Sequence, residues 1–320
     1  MKFRTEVDVK PFDAKIGYGS RLFAIGSCFA DNMSAILKQA KFHITANPTG
    51  VLFNPASIAN TIQRLEQGTH VTADQLNESN GIWFCYDFHG SFSAATAGEA
   101  LEKMNTAIDT GAQALAESDC AIITLGTAWV YELKGTGRVV ANCHKQPSSG
   151  FVRRRLGVDE IVGLLSPLME GVLKDKHVIF TVSPVRHLGD GADENFLSKA
   201  TLKLAVAEIV NRYTSADYFP AYEILNDDLR DYRFYADDLV HPSAQALAYI
   251  REKFTAAAMT AETVAQVQQI GKIVDAASHR PLNAQSEAFR TFCRRNIEAI
   301  NAIGGAADLT EERRHFESFL

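Results

Sequence analysis

The sequence predicts an α/β fold: a three-layer α/β/α sandwich around a parallel sheet of about five strands, with a C-terminal helical extension. Three observations predict it. Short apolar runs stand at Leu22–Ile25, Ala121–Leu125, His177–Val182 and Tyr218–Ile224, the pattern of strands buried on both faces. Stretches of helical period separate them, at about 55–66, 99–117, 158–173 and 195–212. Strands alternating with helices of this length imply a parallel sheet covered on both sides.

The elements follow in chain order. Leu22–Ile25 runs through Gly26, which permits a tight turn, into a helix whose Phe29, Met33, Ile36 and Leu37 share one face. After the second helix, residues 67–98 are polar but include Trp83-Phe84-Cys85-Tyr86, a strand and turn inserted into the alternating plan. Ala121–Leu125 leads to Gly126-Thr127-Ala128-Trp129 and then to a polar loop, Ala141-Asn142-Cys143-His144-Lys145-Gln146-Pro147. Ser183 follows the next strand. Pro242 suits the first position of the helix after it, which leaves His241 in the preceding loop. From 261 to 320, Ile270, Ile273 and Val274, then Phe289, Phe292, Ile297 and Ile300, recur at helical spacing, a tail that packs on the core or on a partner. No internal repeat or low-complexity tract interrupts the order.

Composition narrows the function classes. The chain has 320 residues, 46% hydrophobic and 22% charged, as in ordinary globular proteins that bury a sizeable core. A net charge of −6 gives no electrostatic footprint for nucleic acid or an anionic membrane. Met1–Asp8 carries basic residues without an apolar core behind them, so no leader is expected. The five cysteines, at 28, 85, 120, 143 and 293, are odd in number and scattered, which fits reduced thiols and a cytoplasmic protein. No close-spaced Cys or His pair of the zinc-ribbon kind occurs, and no cofactor is expected.

Two segments carry chemistry. Cys28 falls where a strand meets a helix start, a position whose field favours the thiolate and lowers a thiol pKa. The competing reading is a buried structural cysteine. Asp237-Asp238-Leu239-Val240-His241-Pro242 weighs against it. A nucleophile needs a base, and the base gains from a group that fixes its tautomer. Cys28, His241 and Asp238 are those three parts.

Gly26-Ser27-Cys28-Phe29-Ala30 resembles the motif that names the GSCFA family, a branch of the SGNH (GDSL-like) hydrolase superfamily. On that resemblance Gly26 matches the SGNH Gly, Ser27 its Asp and Cys28 its nucleophilic Ser. Asp238 and His241 match the closing Asp-x-x-His. The resemblance spans about residues 1–260 and implies a catalytic domain there, with 261–320 as the extension packed on it. It also implies a Gly-x-Asn-Asp block after the third strand. Here Ala128 stands where that block has its oxyanion-hole Asn. Asn142 is a substitute on chemical grounds, because its amide can donate to a developing oxyanion. Gly50 fits the slot of the second block, whose Gly directs a backbone N–H into the hole.

Other residues have two readings each. His144, clustered with Asn142, Cys143 and Lys145, binds substrate or lies in a solvated loop. Arg186 and His187 follow Ser183-Pro184-Val185 and bind an anionic or hydroxylated group, or form surface ion pairs. Gly126 ends a strand on the same edge. Ser27 is the rival nucleophile, but the register places Cys28 at the helix start and Ser27 at the cap. The expected function is acyl transfer on a small-molecule or saccharide ester or thioester, as esterase or acyltransferase. The alternative is a catalytically silent carbohydrate- or peptide-binding module of the same fold, which loss of the Gly-x-Asn-Asp block favours.

Overall fold

The computed structural model describes residues 4–320; Met1, Lys2 and Phe3, where the leader reading begins, lie outside the described residues. The strands and helices in chain order are β1 (Arg21–Gly26), α1 (Cys28–Gln39), β2 (His43–Ala46), α2 (Pro55–Gln67), β3 (Asn77–Ser79), β4 (Ile82–Phe84), α3 (Ala97–Glu117) and β5 (Cys120–Leu125). There follow β6 (Trp129–Leu133), β7 (Val139–Val140), β8 (Phe151–Arg155), α4 (Val158–Glu170), β9 (His177–Val182), α5 (Ala192–Arg212) and β10 (Ala216–Phe219). The chain closes with a short turn, α6 (Ala221–Glu223), then α7 (Ala244–Ala258), α8 (Ala261–Ser278), α9 (Glu287–Ile303) and α10 (Thr310–Glu317).

Five strands form the central sheet in the order β10-β9-β5-β1-β2, every pair parallel. Strand alternation divides the core. Phe23 and Ile25 of β1, with Ile123 of β5 and Phe180 of β9, pack against α2, α3, α4 and α5. Leu22 and Ala24, with Ile122 and Ile179, face the other way onto Phe29 and Met33 of α1 and Phe254 of α7. Ile270 of α8, Cys293 of α9 and Phe316 of α10 are buried in that second core, so the C-terminal helices share the layer of α1 and α7. Among the described residues no helix is long and apolar enough to cross a membrane.

Three details differ from the sequence expectation. β10 ends at Phe219 rather than running to Ile224, because Pro220 has no N–H for the ladder. The chain turns there into α6 and a π-helical turn, Ile224–Leu229. Ser243, not the residue before Pro242, caps α7: its side chain accepts from the Ala246 N–H at 3.3 Å, which leaves Pro242 outside the helix. The polar stretch after β5 folds into an antiparallel sheet of order β7-β6-β8, which periodicity did not reveal. The insertion at 67–98 holds a second hairpin, β3–β4, turned at Asn80 and Gly81, both with positive φ.

Candidate active site

The carboxyl end of β1 is held from three sides. Gly26 has φ +142°, and an added Cβ would lie 2.1 Å from the Thr124 carbonyl oxygen, so only glycine lets β1 turn this close to β5. The Gly26 N–H donates to Asn47 Oδ1 at 2.7 Å, and Asn47 Nδ2 donates to Asp31 Oδ1 at 2.6 Å. Asn47 therefore ties the strand end to the first turn of α1. Ser27 is fully buried and its Oγ accepts from the Phe29 N–H at 3.3 Å. That capping bond places Ser27 under the helix and Cys28 at its first position, half-buried, with its side chain toward the sheet edge.

The loop before α7 brings the base. Asp238 Oδ1 accepts from the Val240 and His241 N–H groups, each at 2.9 Å, and folds the loop on itself. Asp238 Oδ2 accepts from His241 Nδ1 at 2.6 Å. The His241 and Val240 bonds hold the Asp238 carboxyl down at about 2, so it stays ionised. With Nδ1 donating, Nε2 is the free acceptor, and it stands 3.6 Å from Cys28 Sγ. The Arg186 N–H donates to the Val240 carbonyl at 3.2 Å and anchors the loop to the end of β9.

The thiol itself differs from expectation. Burial, with the nearby Asp31 carboxylate, pushes the Cys28 thiol up; the backbone N–H groups of Cys28 and Phe29 and the Lys199 ammonium oppose this without reversing it. The helix-start field is present but outweighed by desolvation. At rest Cys28 is held as the thiol, facing the His241 ring nitrogen.

A second cysteine–histidine–aspartate set shows why arrangement alone is insufficient. At the amino ends of β5, β9 and β10, Cys120 Sγ lies 3.9 Å from His177 Nδ1, and His177 Nε2 lies 2.8 Å from Asp217 Oδ2. Cys120 is inside the strand ladder, and burial first, then Asp119, pushes its thiol to about 12. It has neither a helix start nor an open face.

The other sequence candidates fall in different places. Gly50 supplies no donor to the thiol: its N–H donates to the Asn47 carbonyl at 2.8 Å, closing a turn. Its glycine is needed because φ is +86° and a Cβ would lie 2.2 Å from His89 Cβ. The Gly126 and Thr127 N–H groups both donate to the Phe53 carbonyl at 2.8 Å, so Gly126 is site floor rather than an oxyanion donor. Arg186 is stacked on Tyr235, 4.0 Å from the ring centre, and faces a separate hollow. His144 directs Nε2 to the Cys85 carbonyl at 2.9 Å and stacks on Phe84, and burial lowers its pKa. Asn142 Oδ1 accepts from the His144 N–H at 2.7 Å.

Asn142 nonetheless lines a cleft of about 620 Å³. Phe53, Asn54, Thr127 and His187 form its near end, and Trp129, Tyr131 and Phe151 its far wall. Neither Cys28 nor His241 is among the residues that line this cleft. The link is Gly126, where an added Cβ would lie 3.3 Å from Ser27 Cβ and 3.4 Å from His187 Nε2. His144 faces a neighbouring depression of about 820 Å³ that shares Asn142 and Gln146 with the first.

Three residues at the near end escaped the sequence reading. Asn54 caps α2, its Oδ1 accepting from the Ser57 N–H at 2.8 Å, and its Nδ2 has no protein partner among the described residues. An Asn-Pro pair before a helical stretch signals such a cap, but not a site. His187 Nε2 is buried without a partner, and burial, then Lys199, lowers its pKa to about 4. Lys199 is 1% exposed and donates to the Gly126 and Ser183 carbonyls, both at 2.7 Å. Nothing in the pattern of α5 singles it out. Among the described residues no group of three or more His, Cys, Asp or Glu is arranged to hold a metal ion.

Residues 21–254 match the sequence model of the GSCFA family, and residues 270–320 match that of the GSCFA domain protein, C-terminal domain. A search of curated proteins returns no match to the chain.

Proposed function

The chain belongs to the GSCFA family, and from that premise we propose that it is an acyl-transfer enzyme of SGNH type, acting on an ester or thioester through Cys28, His241 and Asp238. The observation that carries this reading is the contact of Cys28 Sγ with His241 Nε2 at 3.6 Å, backed by Asp238 on the other ring nitrogen. A free acceptor nitrogen facing a thiol at a helix start is the arrangement that nucleophilic catalysis requires.

Cys28 Sγ attacks the substrate carbonyl carbon as its proton passes to His241 Nε2. Asp238 stabilises the imidazolium that forms. The carbonyl oxygen becomes an oxyanion. The Cys28 N–H is free of any backbone acceptor among the described residues, as expected at the first helical position. The Asn54 Nδ2 amide, in the cleft with Phe53 and His187, is the second donor, in the role the sequence suggested for Asn142. The bond to the leaving oxygen or sulfur then breaks, and His241 returns the proton to it. A water or alcohol gives its proton to His241, attacks the Cys28 thioester, and regenerates the thiol. Hydrolysis and transfer differ only in that acceptor. The cleft wall of Asn142, Gln146 and Ser148 with aromatic rings suits a neutral, hydroxylated group such as a saccharide on the non-acyl side.

The test is covalent. The native protein, mixed with 4-nitrophenyl acetate, is expected to gain one acetyl group on the tryptic peptide that holds Cys28, and Cys28→Ala to gain none there. No acetylation of Cys28 under conditions where free cysteine is acetylated leaves the binding module as the better reading.

A further inference from the structure

Arg186 is a cation that the fold holds in place but does not pair. It follows β9, is half-buried, and its guanidinium carbon lies 4.0 Å from the Tyr235 ring centre and 5.2 Å from that of Tyr232. Among the described residues no carboxylate comes within 4.0 Å of it, whereas Arg230 and Arg233 nearby each meet one, Asp227 at 3.7 Å and Asp231 at 3.8 Å. The chain has 38 acidic residues against 32 Lys and Arg, so the missing partner reflects no shortage of carboxylates. Arg186, Arg230, Asp231 and the two tyrosines line a hollow of about 180 Å³. Asp231 Oδ1 is already engaged, accepting from the Arg233 N–H at 2.9 Å. Arg230 ends the π-helical turn with φ +31°, a left-handed backbone that strains a non-glycine residue. The hollow is built on the segments that hold His241. The Arg186 N–H donates to the Val240 carbonyl at 3.2 Å, the Ala236 N–H to the His241 carbonyl at 2.8 Å, and Tyr235 pairs with Pro242 in an antiparallel bridge. His187, next in the chain, lines the aromatic cleft instead, and the two spaces share no lining residue.

We propose that this hollow is an anion-binding subsite beside the His241 loop, taking a phosphate or carboxylate group carried by the acyl-transfer substrate. Two guanidiniums suit such a group, because their paired N–H donors match two of its oxygens. The tyrosine rings hold Arg186 by cation–π contact, so little side-chain freedom is lost when the anion arrives. Pockets for whole small ligands run to about 300–1,000 Å³; at about 180 Å³ the hollow takes one part of a substrate rather than all of it. Residues 186 and 187 thus send a charged and a neutral side chain into separate spaces, one for the anion and one for the hydroxylated group. The identity of what carries the anion rests on the acyl-transfer reading; the binding of the anion itself does not involve Cys28.

The experiment reads the two arginines directly, without turnover. Phenylglyoxal, which labels guanidinium groups, is followed on the chymotryptic peptides that hold Arg186, Arg230 and Arg280 in the full chain. Inorganic phosphate is titrated in, and succinate in a parallel series, with ionic strength held constant by chloride. Arg280 is exposed and lies outside the hollow, so it reports any non-specific effect of the anions. At a phosphate concentration about ten times its dissociation constant, labelling of Arg186 and Arg230 is expected to slow about tenfold, following the fraction of sites left empty, while Arg280 labels as before. Stronger protection by phosphate assigns the group as a phosphate ester, and stronger protection by succinate assigns it as a carboxylate. Arg186→Gln keeps the backbone bond to Val240 and is expected to remove the protection of Arg230. Unchanged labelling of Arg186 with both anions overturns the proposal and leaves Arg186 as a cation packed on two rings. Full protection of Arg230 in Arg186→Gln also overturns it. A protein protected at Arg186 that takes up no acyl group on Cys28 keeps the anion site and loses the acyl-transfer reading; acyl uptake without protection does the reverse.

Discussion

Cys28 Sγ and His241 Nε2 stand 3.6 Å apart although 213 positions of sequence separate them. The contact is made by two rigid supports. The Ser27 cap fixes the start of α1, and the Asp238 side chain folds the 238–241 loop onto the end of β9. Neither support depends on the other, which makes their meeting testable piece by piece.

Cys28 is expected to alkylate faster than Cys85, Cys120 and Cys293, which are buried. Its rate should keep rising above pH 9, because burial pushes its thiol up rather than down. A plateau already reached by pH 7 would show instead that the helix-start field dominates. Ser27→Ala removes a cap, with a stability loss of about 1 kcal/mol, and should leave the acyl uptake of Cys28 in place.

His241→Ala is expected to slow acyl transfer by about 10²–10⁴-fold, the usual contribution of a positioned base. Asp238→Asn should retain binding but lose rate, since the Nδ1–H partner that sets the tautomer changes. The Asp238 carboxyl is held at about 2 in the fold, below its unfolded value. Its contribution to stability is therefore present above about pH 4 and disappears as pH falls toward 2. A melting curve of Asp238→Asn that parallels the native protein between pH 2 and 4 would contradict this.

Asn54→Ser is expected to keep the α2 cap, because serine accepts from the same backbone N–H. It removes the amide donor in the cleft. Acylation should slow by about 10²–10³-fold, the range for loss of one oxyanion donor, with the melting temperature nearly unchanged. Asn142→Ala, on the far wall, should alter substrate affinity more than rate. Steady-state kinetics with a single activated ester separates the two, and an equal loss of rate in both variants would return the donor role to Asn142.

His187 is buried and held neutral down to about 4. The unfolded chain takes up a proton on this side chain below about pH 6.5, and the folded one does not. Stability should therefore be complete above that pH and decline between about 6.5 and 4 as acid favours the unfolded state. At 1.36 kcal/mol per unit the full loss is roughly 3 kcal/mol. His187→Gln should flatten that part of the stability–pH curve; an unchanged slope would place the acid-sensitive group elsewhere.

Local pattern carried the sequence reading as far as local forces reach. The run from Leu22 to Leu37 dictates a buried strand, a glycine turn and an amphipathic helix, so Cys28 at the helix start was legible from spacing alone. Asp238 and His241 are three apart, and their loop closes through its own hydrogen bonds, so that pair was legible too. The alternation of apolar runs with helical stretches was enough for four strands of a parallel sheet with helices on both faces. β2 escaped because four half-exposed residues at a sheet edge carry little periodicity. Only the tertiary structure decided the electrostatics. Gly50 turned its N–H to Asn47, and Gly126 gave its N–H to Phe53 and its carbonyl to Lys199. Phe53, His187 and Lys199 come from three separate segments and meet at Gly126. Which groups are stripped of water, and which charge faces which, depends on how distant segments cross at the sheet edge, and no spacing along the chain encodes that.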